Sequence, residues 1–99
     1  MTAIELDPYV VDTLMPDLVG HDRQPSAFLV YLLLWRLTHG AGAAALQVPL
    51  RDLAAGTGLS KRAVQEALAR LIRRRLVEAV REGATAVAVY TVLQPWRRK

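Results

Sequence analysis

Cysteine is absent from the 99-residue sequence, and other chemically versatile residues are scarce. Without cysteine the chain has no disulfide, no thiol nucleophile and no thiolate metal ligand. The two histidines, His21 and His39, fall in predicted connectors, where we expect both to be solvated and without a carboxylate pair beside them. We therefore expect no enzyme activity, no metal site and no cofactor.

Long apolar runs are also missing. The longest, Ala27–Trp35, has nine residues, whereas a helix needs about twenty to span a bilayer. The N-terminus has neither the basic residues nor the following apolar run of a signal peptide. These absences predict a cytoplasmic protein with no membrane partner, and the short chain predicts a single compact domain.

Charge is distributed unevenly along the chain. Residues 1–50 carry a net charge of −3, whereas residues 51–99 carry +7. A basic half beside an acidic half indicates a polyanionic partner for the basic half alone. A highly charged and well-solvated surface is the alternative interpretation.

Proline, glycine and capping residues divide the chain into predicted elements. A short helix starts at Asp7 and ends or kinks at Pro16, and a polar connector over 20–24 leads to a second helix over 25–39. A short strand over 46–48 precedes two helices, one beginning at Pro49 and one running from Ser60 to about Arg75. Two β-rich runs within 77–92, joined by a glycine-containing turn, predict a hairpin whose second strand covers 86–92.

The second predicted helix is apolar on more than one face, because no polar residue interrupts the stretch from Phe28 to Trp35. A core of this size covers one face, so the other must meet the N-terminal helix or a second copy of the chain. We predict a homodimer in which the contacts come from Phe28, Leu29, Tyr31, Leu32 and Trp35. Tyr31 and Trp35 could instead line a small-molecule pocket, but we expect nothing polar to converge there and therefore no effector.

The helix from Ser60 has one apolar stripe and one polar face when projected at 100° per residue. The stripe consists of Val64, Ala67, Leu68 and Leu71, and the opposite face carries Arg62, Gln65, Glu66, Ala69, Arg70 and Arg73. Arg62 and Gln65 match the base edges and phosphates of a major groove. Alternatively, Arg62, Glu66 and Arg70 pair with one another in solvent. Glu66 would repel phosphate, although it could accept a hydrogen bond from cytosine or orient Arg62.

Residues Pro49–Val92 resemble the winged helix-turn-helix of bacterial transcription regulators, in the style of the MarR and GntR groups and of plasmid replication initiators. The resemblance is carried by Leu53-Ala54 in the first helix, by Gly58-Leu59-Ser60 at the turn, and by Val64, Leu68 and Leu71 in the second. It implies a mainly α fold with a small β-hairpin. It also implies that the DNA-facing residues are Ser60, Lys61, Arg62 and Gln65, with Arg81 and Thr85 in the wing.

One position departs from the resemblance. Such domains place glycine just before the first wing strand, where this chain has Arg75. Arg75 either adopts a left-handed conformation at a cost of about 1 kcal/mol, or the helix ends differently.

Together these observations predict three parts: an N-terminal helical extension that dimerises (1–45), a winged helix-turn-helix (46–94) and a basic tail (95–99). The predicted function is that of a homodimeric bacterial repressor that binds double-stranded DNA. Two alternatives stay open, a winged protein–protein interaction module and a DNA binder of the replication-initiator type.

Overall fold

A computed structural model describes residues 3–97 of the chain. Its helical part comprises two π-helical stretches, Val10–Leu14 and Pro16–His21, a short 3₁₀ turn, His39–Ala41, and three α-helices, α1 (Pro25–Leu37), α2 (Leu50–Thr57) and α3 (Lys61–Arg73). The strands are β1 (Ala45–Gln47), β2 (Val77–Val80) and β3 (Val89–Val92). The architecture is a winged helix-turn-helix, mainly helical with a small sheet, which confirms the predicted fold class.

The N-terminal segment differs from its prediction. Of the two predicted effects of Pro16, an end of the helix is wrong, because one π-helical stretch ends at Leu14 and a second begins at Pro16, and the kink stays a prediction. Pro16 occupies the first turn of the second π-helical stretch, where a missing N–H costs nothing. Helical structure continues to His21, so the connector over 20–24 is shorter than predicted. Arg23 then turns the chain with a left-handed φ of 54°, and α1 begins at Pro25.

The turn between α2 and α3 is fixed by local hydrogen bonds. Gly58 has a φ of 78°, and its N–H donates to the Ala54 carbonyl at 2.9 Å. Ser60 is the N-cap of α3, and its Oγ accepts from the Ala63 N–H at 3.0 Å, a contact worth about 1 kcal/mol. The start of α3, the helix expected to face DNA, is thereby held in one orientation.

The C-terminal end of α3 shows which of the two predicted conformations Arg75 adopts. Its φ is 58°, so this residue does adopt the left-handed conformation. The Leu76 N–H donates to the Leu71 carbonyl at 2.9 Å, and the Arg75 N–H donates to the Ile72 carbonyl at 3.0 Å. These two bonds form a Schellman motif, which usually has glycine at this position. The helix therefore ends as the resemblance implies, with arginine in the place of glycine.

The three strands form an antiparallel sheet with β3 in the centre, in the order β1-β3-β2. Tyr90 is the Cα partner of Leu46 on one side and of Ala79 on the other. The predicted final strand over 86–92 is shorter in the structure, because β2 ends at Val80, the partner of Val89. Residues 81–88 form the loop of the wing.

One hydrophobic core joins α1, α2, α3, the N-terminal segment and the inner face of the sheet. Phe28, Tyr31 and Trp35 lie within it. The Tyr31 hydroxyl donates to the Leu93 carbonyl at 2.9 Å, and the Trp35 Nε1–H donates to the Glu5 carbonyl at 2.9 Å. The second face of α1 is thus largely covered by the chain's own N-terminal segment and sheet. Among residues 3–97, no helix is long and apolar enough to cross a membrane.

Candidate nucleic-acid interface

The first turns of α3 present polar side chains on a rigid base. Val64, Ala67, Leu68 and Leu71 are buried as predicted, and this apolar stripe anchors the helix against the core. Lys61, Arg62, Gln65 and Glu66 are exposed on the outer side. The Arg62 side chain is 87% exposed, and its Nε lies 3.6 Å from Glu66 Oε2. An exposed pair of this kind contributes little to stability, so Arg62 is free to exchange Glu66 for another acceptor.

Arg70, also predicted to face DNA, is engaged within the chain. Its Nε donates to Gln24 Oε1 at 2.9 Å, and its Nη1 lies 4.0 Å from Asp22 Oδ2. It does not pair with Glu66, the partner proposed from the helical spacing. Arg73 remains exposed near the end of α3, so the two arginines of this predicted set have different surroundings.

Arg74 links α3 to the N-terminal segment. It forms ion pairs with Asp17 and with Asp22, the latter at 3.4 Å between Nη1 and Oδ1. Reasoning from the sequence missed this network, although the acidic excess of the first half was its signal. Two of those acidic residues, Asp17 and Asp22, neutralise arginines at the C-terminal end of α3.

The side chain of His21 is 80% exposed, as expected for a solvated histidine, but the expectation that no carboxylate pair lies beside it is wrong. It lies in a helical stretch, with its Nδ1 3.1 Å from Asp22 and 3.8 Å from Asp17. Candidate ligand atoms of the three residues lie within 4.8 Å of one another. Arg74 already supplies positive charge to both carboxylates, and this arrangement does not suit a cation.

The second histidine and Trp35 also depart from expectation. His39 Nε2 lies 3.2 Å from the Val92 carbonyl and 3.3 Å from Gln94 Nε2, so the ring is not simply solvated. Trp35 lines a cavity of about 410 Å³ whose polar lining residues are Glu5, Asp7, His39, Gln94 and Arg97. The expectation that nothing polar converges beside Trp35 is therefore wrong, whereas Tyr31 does not line this cavity.

The wing places its two predicted residues on the surface. Arg81 and Thr85 are both exposed in the loop 81–88. Arg81 and Gln65 line the same groove, a cavity of about 440 Å³ between α3 and the sheet. The structure thus brings a wing residue and an α3 residue together. Tyr90, which sequence reasoning did not single out, lines this groove as well.

The predicted basic tail is only partly described, because Arg98 and Lys99 lie outside the described residues. Within it, Trp96 Nε1 and Arg97 Nε donate to Asp7 Oδ2 at 3.1 and 3.2 Å. The Trp96 hydrogen bond, the Tyr9 N–H and the charge of Arg97 hold the pKa of Asp7 below its usual value of 3.8. Arg97 is therefore paired inside the chain.

The predicted dimer residues divide into two groups. Phe28, Tyr31 and Trp35 belong to the core described above, whereas Leu29 and Leu32 are 43% and 36% exposed. Only these two of the five offer an apolar surface to a partner.

Comparison with known proteins gives one family and one similar solved structure. A family model described as a helix-turn-helix domain matches residues 24–77, which is more than half of the chain and includes α1, α2 and α3. The crystal structure of the AntR antimony-specific transcriptional repressor is similar at 27% sequence identity, over 95% of this chain and 84% of that one, with a TM-score of 0.43. No curated protein matches.

Proposed function

Because this chain belongs to the helix-turn-helix domain family, we propose that it is a transcription repressor that binds double-stranded DNA with sequence preference. The observation that carries the proposal is the start of α3. Lys61, Arg62 and Gln65 are exposed there on a helix whose other face is buried and whose first turn is capped by Ser60.

The chemistry of these side chains suits the major groove. The groove admits one α-helix, and residues near the start of a recognition helix reach furthest towards the bases. Arg62 can donate two hydrogen bonds to guanine, and Gln65 can form two with adenine. Glu66 orients the Arg62 guanidinium from 3.6 Å and can accept from cytosine. Ala69 is exposed and small, which permits close approach.

Contacts to the DNA backbone are assigned to residues beside this surface. Arg73, at the end of α3, and Arg81, in the wing loop, are exposed cations, and Thr85 also lies in the wing loop. Such contacts strengthen binding to every sequence and make it sensitive to salt. Arg70 contributes less than Arg73, because it is held by Gln24.

We assign dimerisation to the exposed part of α1. Leu29 and Leu32 are apolar and exposed there, and a two-fold pair of chains would present two α3 helices to half-sites about one helical turn of DNA apart. Repression then follows from occupation of such a site.

Fluorescence anisotropy with selected duplexes tests the proposal. The wild-type chain should bind a selected sequence more tightly than a scrambled one, with two chains per duplex and weaker binding as salt rises. Arg62→Ala should cost about 1–3 kcal/mol and relax the preference at one base pair, whereas Arg73→Ala should weaken binding to all sequences alike. Arg36→Ala, an exposed arginine of α1, is the control for loss of charge.

Equal affinity for all sequences, or no binding at about 50 mM salt, would contradict the proposal. If the folded wild-type chain bound no DNA at all, the alternative of a winged protein–protein interaction module would be favoured. Binding as a single chain would contradict the dimer alone.

A further inference from the structure

The cavity beside Trp35 lies where three parts of the chain meet. Its wall is formed by residues 5–8 of the N-terminal segment, by Trp35 and His39 near the end of α1, and by Gln94 and Arg97 after β3. Its volume of about 410 Å³ lies in the range of small-molecule sites. None of these lining residues belongs to α3 or to the wing, so the cavity is separate from the surface proposed to face DNA.

Gln94 places a buried and unpaired oxygen in the wall of this cavity. The Nε2 of its amide lies 3.3 Å from His39 Nε2, whereas its Oε1 is buried and has no hydrogen-bond partner within residues 3–97. Buried polar atoms normally have a partner. The last torsion of a glutamine side chain has a broad energy minimum, so a turn of the amide presents Oε1 to a donor in the cavity. This wall therefore holds an acceptor that lacks its donor.

The charged groups of the wall are unequally compensated. Asp7 Oδ2 accepts from Arg97 Nε at 3.2 Å, so the guanidinium already has a carboxylate partner. Glu5 is exposed, and within residues 3–97 its carboxylate forms no ion pair. Two carboxylates thus accompany one guanidinium, and the groups left over, the Glu5 carboxylate and Gln94 Oε1, both accept hydrogen bonds. Such a wall suits a ligand that brings positive charge and N–H donors.

Apolar groups line the same cavity. They come from Leu6, Pro8 and Trp35. The indole of Trp35 is held in place, because its Nε1–H donates to the Glu5 carbonyl at 2.9 Å and its ring centroid lies 4.6 Å from that of His39. A ligand with a short alkyl stem would therefore find apolar contacts next to the two acceptors.

We propose that this cavity binds a small primary ammonium ion that carries a short alkyl stem. The ammonium group donates to Gln94 Oε1 and to the Glu5 carboxylate, and the stem packs against Trp35. This inference goes beyond the proposed function, since its ligand is a small molecule that contacts neither α3 nor the wing. The sequence predicted no such ligand, because the polar groups that converge beside Trp35 come from both ends of the chain.

Nuclear magnetic resonance titration of the full chain with three compounds of one stem length tests the proposal. n-Butylammonium should shift the side-chain amide of Gln94 and the indole N–H of Trp35. Its dissociation constant should be on the order of 1 mM, as expected for a ligand of five non-hydrogen atoms. n-Butanol and butyrate, at the same ionic strength, should bind at least about ten-fold more weakly, because neither brings a charged donor.

Two variants locate the ammonium group. Glu5→Gln removes an exposed charge and should weaken n-butylammonium binding about three-fold, whereas Glu82→Gln, the same change at an exposed glutamate of the wing, should leave it unaltered. Gln94→Leu removes the buried acceptor and should weaken binding at least about ten-fold. Melting temperatures show which variants fold, and Glu5→Gln decides the test if Gln94→Leu does not.

Equal shifts with n-butylammonium and n-butanol would overturn the ammonium site, as would wild-type affinity in folded Gln94→Leu or equal effects of Glu5→Gln and Glu82→Gln. Absence of any shift at Gln94 and Trp35 would also overturn it, and would leave water as the partner of Gln94 Oε1. Anisotropy with DNA duplexes is measured on the same wild-type chain, so this inference and the proposed function can fail separately.

Discussion

Arg75 sets the direction in which the wing leaves α3. It holds a φ of 58° that favours glycine, and β2 begins two residues later at Val77. The Schellman hydrogen bonds around it compensate part of the strain. The left-handed conformation of Arg75 thus costs free energy, but it gives α3 a fixed end and leaves an arginine at the surface.

Replacement of Arg75 by glycine should therefore stabilise the fold. Arg75→Gly removes the steric penalty and should raise the free energy of unfolding by about 0.5–1 kcal/mol, as measured by urea denaturation. Arg73→Gly, within the last turn of α3, is the matched control and should lower it by a similar amount. Destabilisation of both variants to the same extent would show that Arg75 bears no strain.

At the scale of elements, Arg74 and two aspartates fasten the N-terminal segment to α3. The Asp22 side chain is only 5% exposed and interacts with Arg74 and, more distantly, with Arg70. A buried carboxylate needs such compensation, because isolation of its charge away from water is costly. The segment is therefore held to α3 by charge as well as by its buried apolar residues.

Arg74→Ala should consequently destabilise the chain by about 2–3 kcal/mol in urea denaturation, below the full cost of breaking a buried pair because Arg74 is partly exposed. Arg73→Ala, its exposed neighbour, should change stability by less than about 0.5 kcal/mol. In the double variant Asp22→Asn/Arg74→Ala, much of the loss should be recovered, since no charge remains on the buried Asp22 side chain and the unpaired Asp17 carboxylate is 32% exposed to water. Equal effects of Arg73→Ala and Arg74→Ala would refute a specific role for this network.

The sequence predicted the helix-turn-helix elements well because each element is determined by residues that lie close together in the chain. The stripe of Val64 to Leu71, the Ser60 cap and the Gly58 turn depend on neighbours within a few residues. The partners of Arg70 and Arg74 lie about fifty residues away in the chain, and no helical spacing reveals them. Similarly, the composition of α1 indicates that two faces are buried but does not distinguish the chain's own segments from a second copy.

At the scale of the whole molecule, the two ends of the described chain are joined. Tyr9 and Trp96 stack with ring centroids 4.4 Å apart, and Asp7 accepts hydrogen bonds from Trp96 and Arg97. These contacts cover one side of the core next to Trp35. The two hydrogen bonds to Asp7 are stronger when its carboxylate is ionised.

Low pH should weaken the contact of Asp7 with Trp96 and Arg97. Since the folded state lowers the pKa of Asp7 below 3.8, ionised Asp7 favours folding, and this stabilisation is present above the unfolded value and lost as pH falls through the folded value. The melting temperature should drop as pH is lowered from neutral to below 3.8, and Asp7→Asn should show a smaller drop. Asp12→Asn, at an exposed aspartate of the same segment, should behave like the wild type. An unchanged pH profile in Asp7→Asn would contradict this assignment.

The central position of β3 has a consequence for the order of folding. Within residues 3–97, β1 and β2 each pair with β3 and with no other strand, and Leu46 and its partner Tyr90 are 44 residues apart in the chain. Helices form early because their contacts are local, whereas strand pairs between residues so far apart in the chain form slowly. During synthesis no strand pair can therefore be complete until the chain has emerged through Val92, so the wing and the cavity at Tyr90 form late, followed by the contacts of Trp96 and Arg97 with the N-terminal segment.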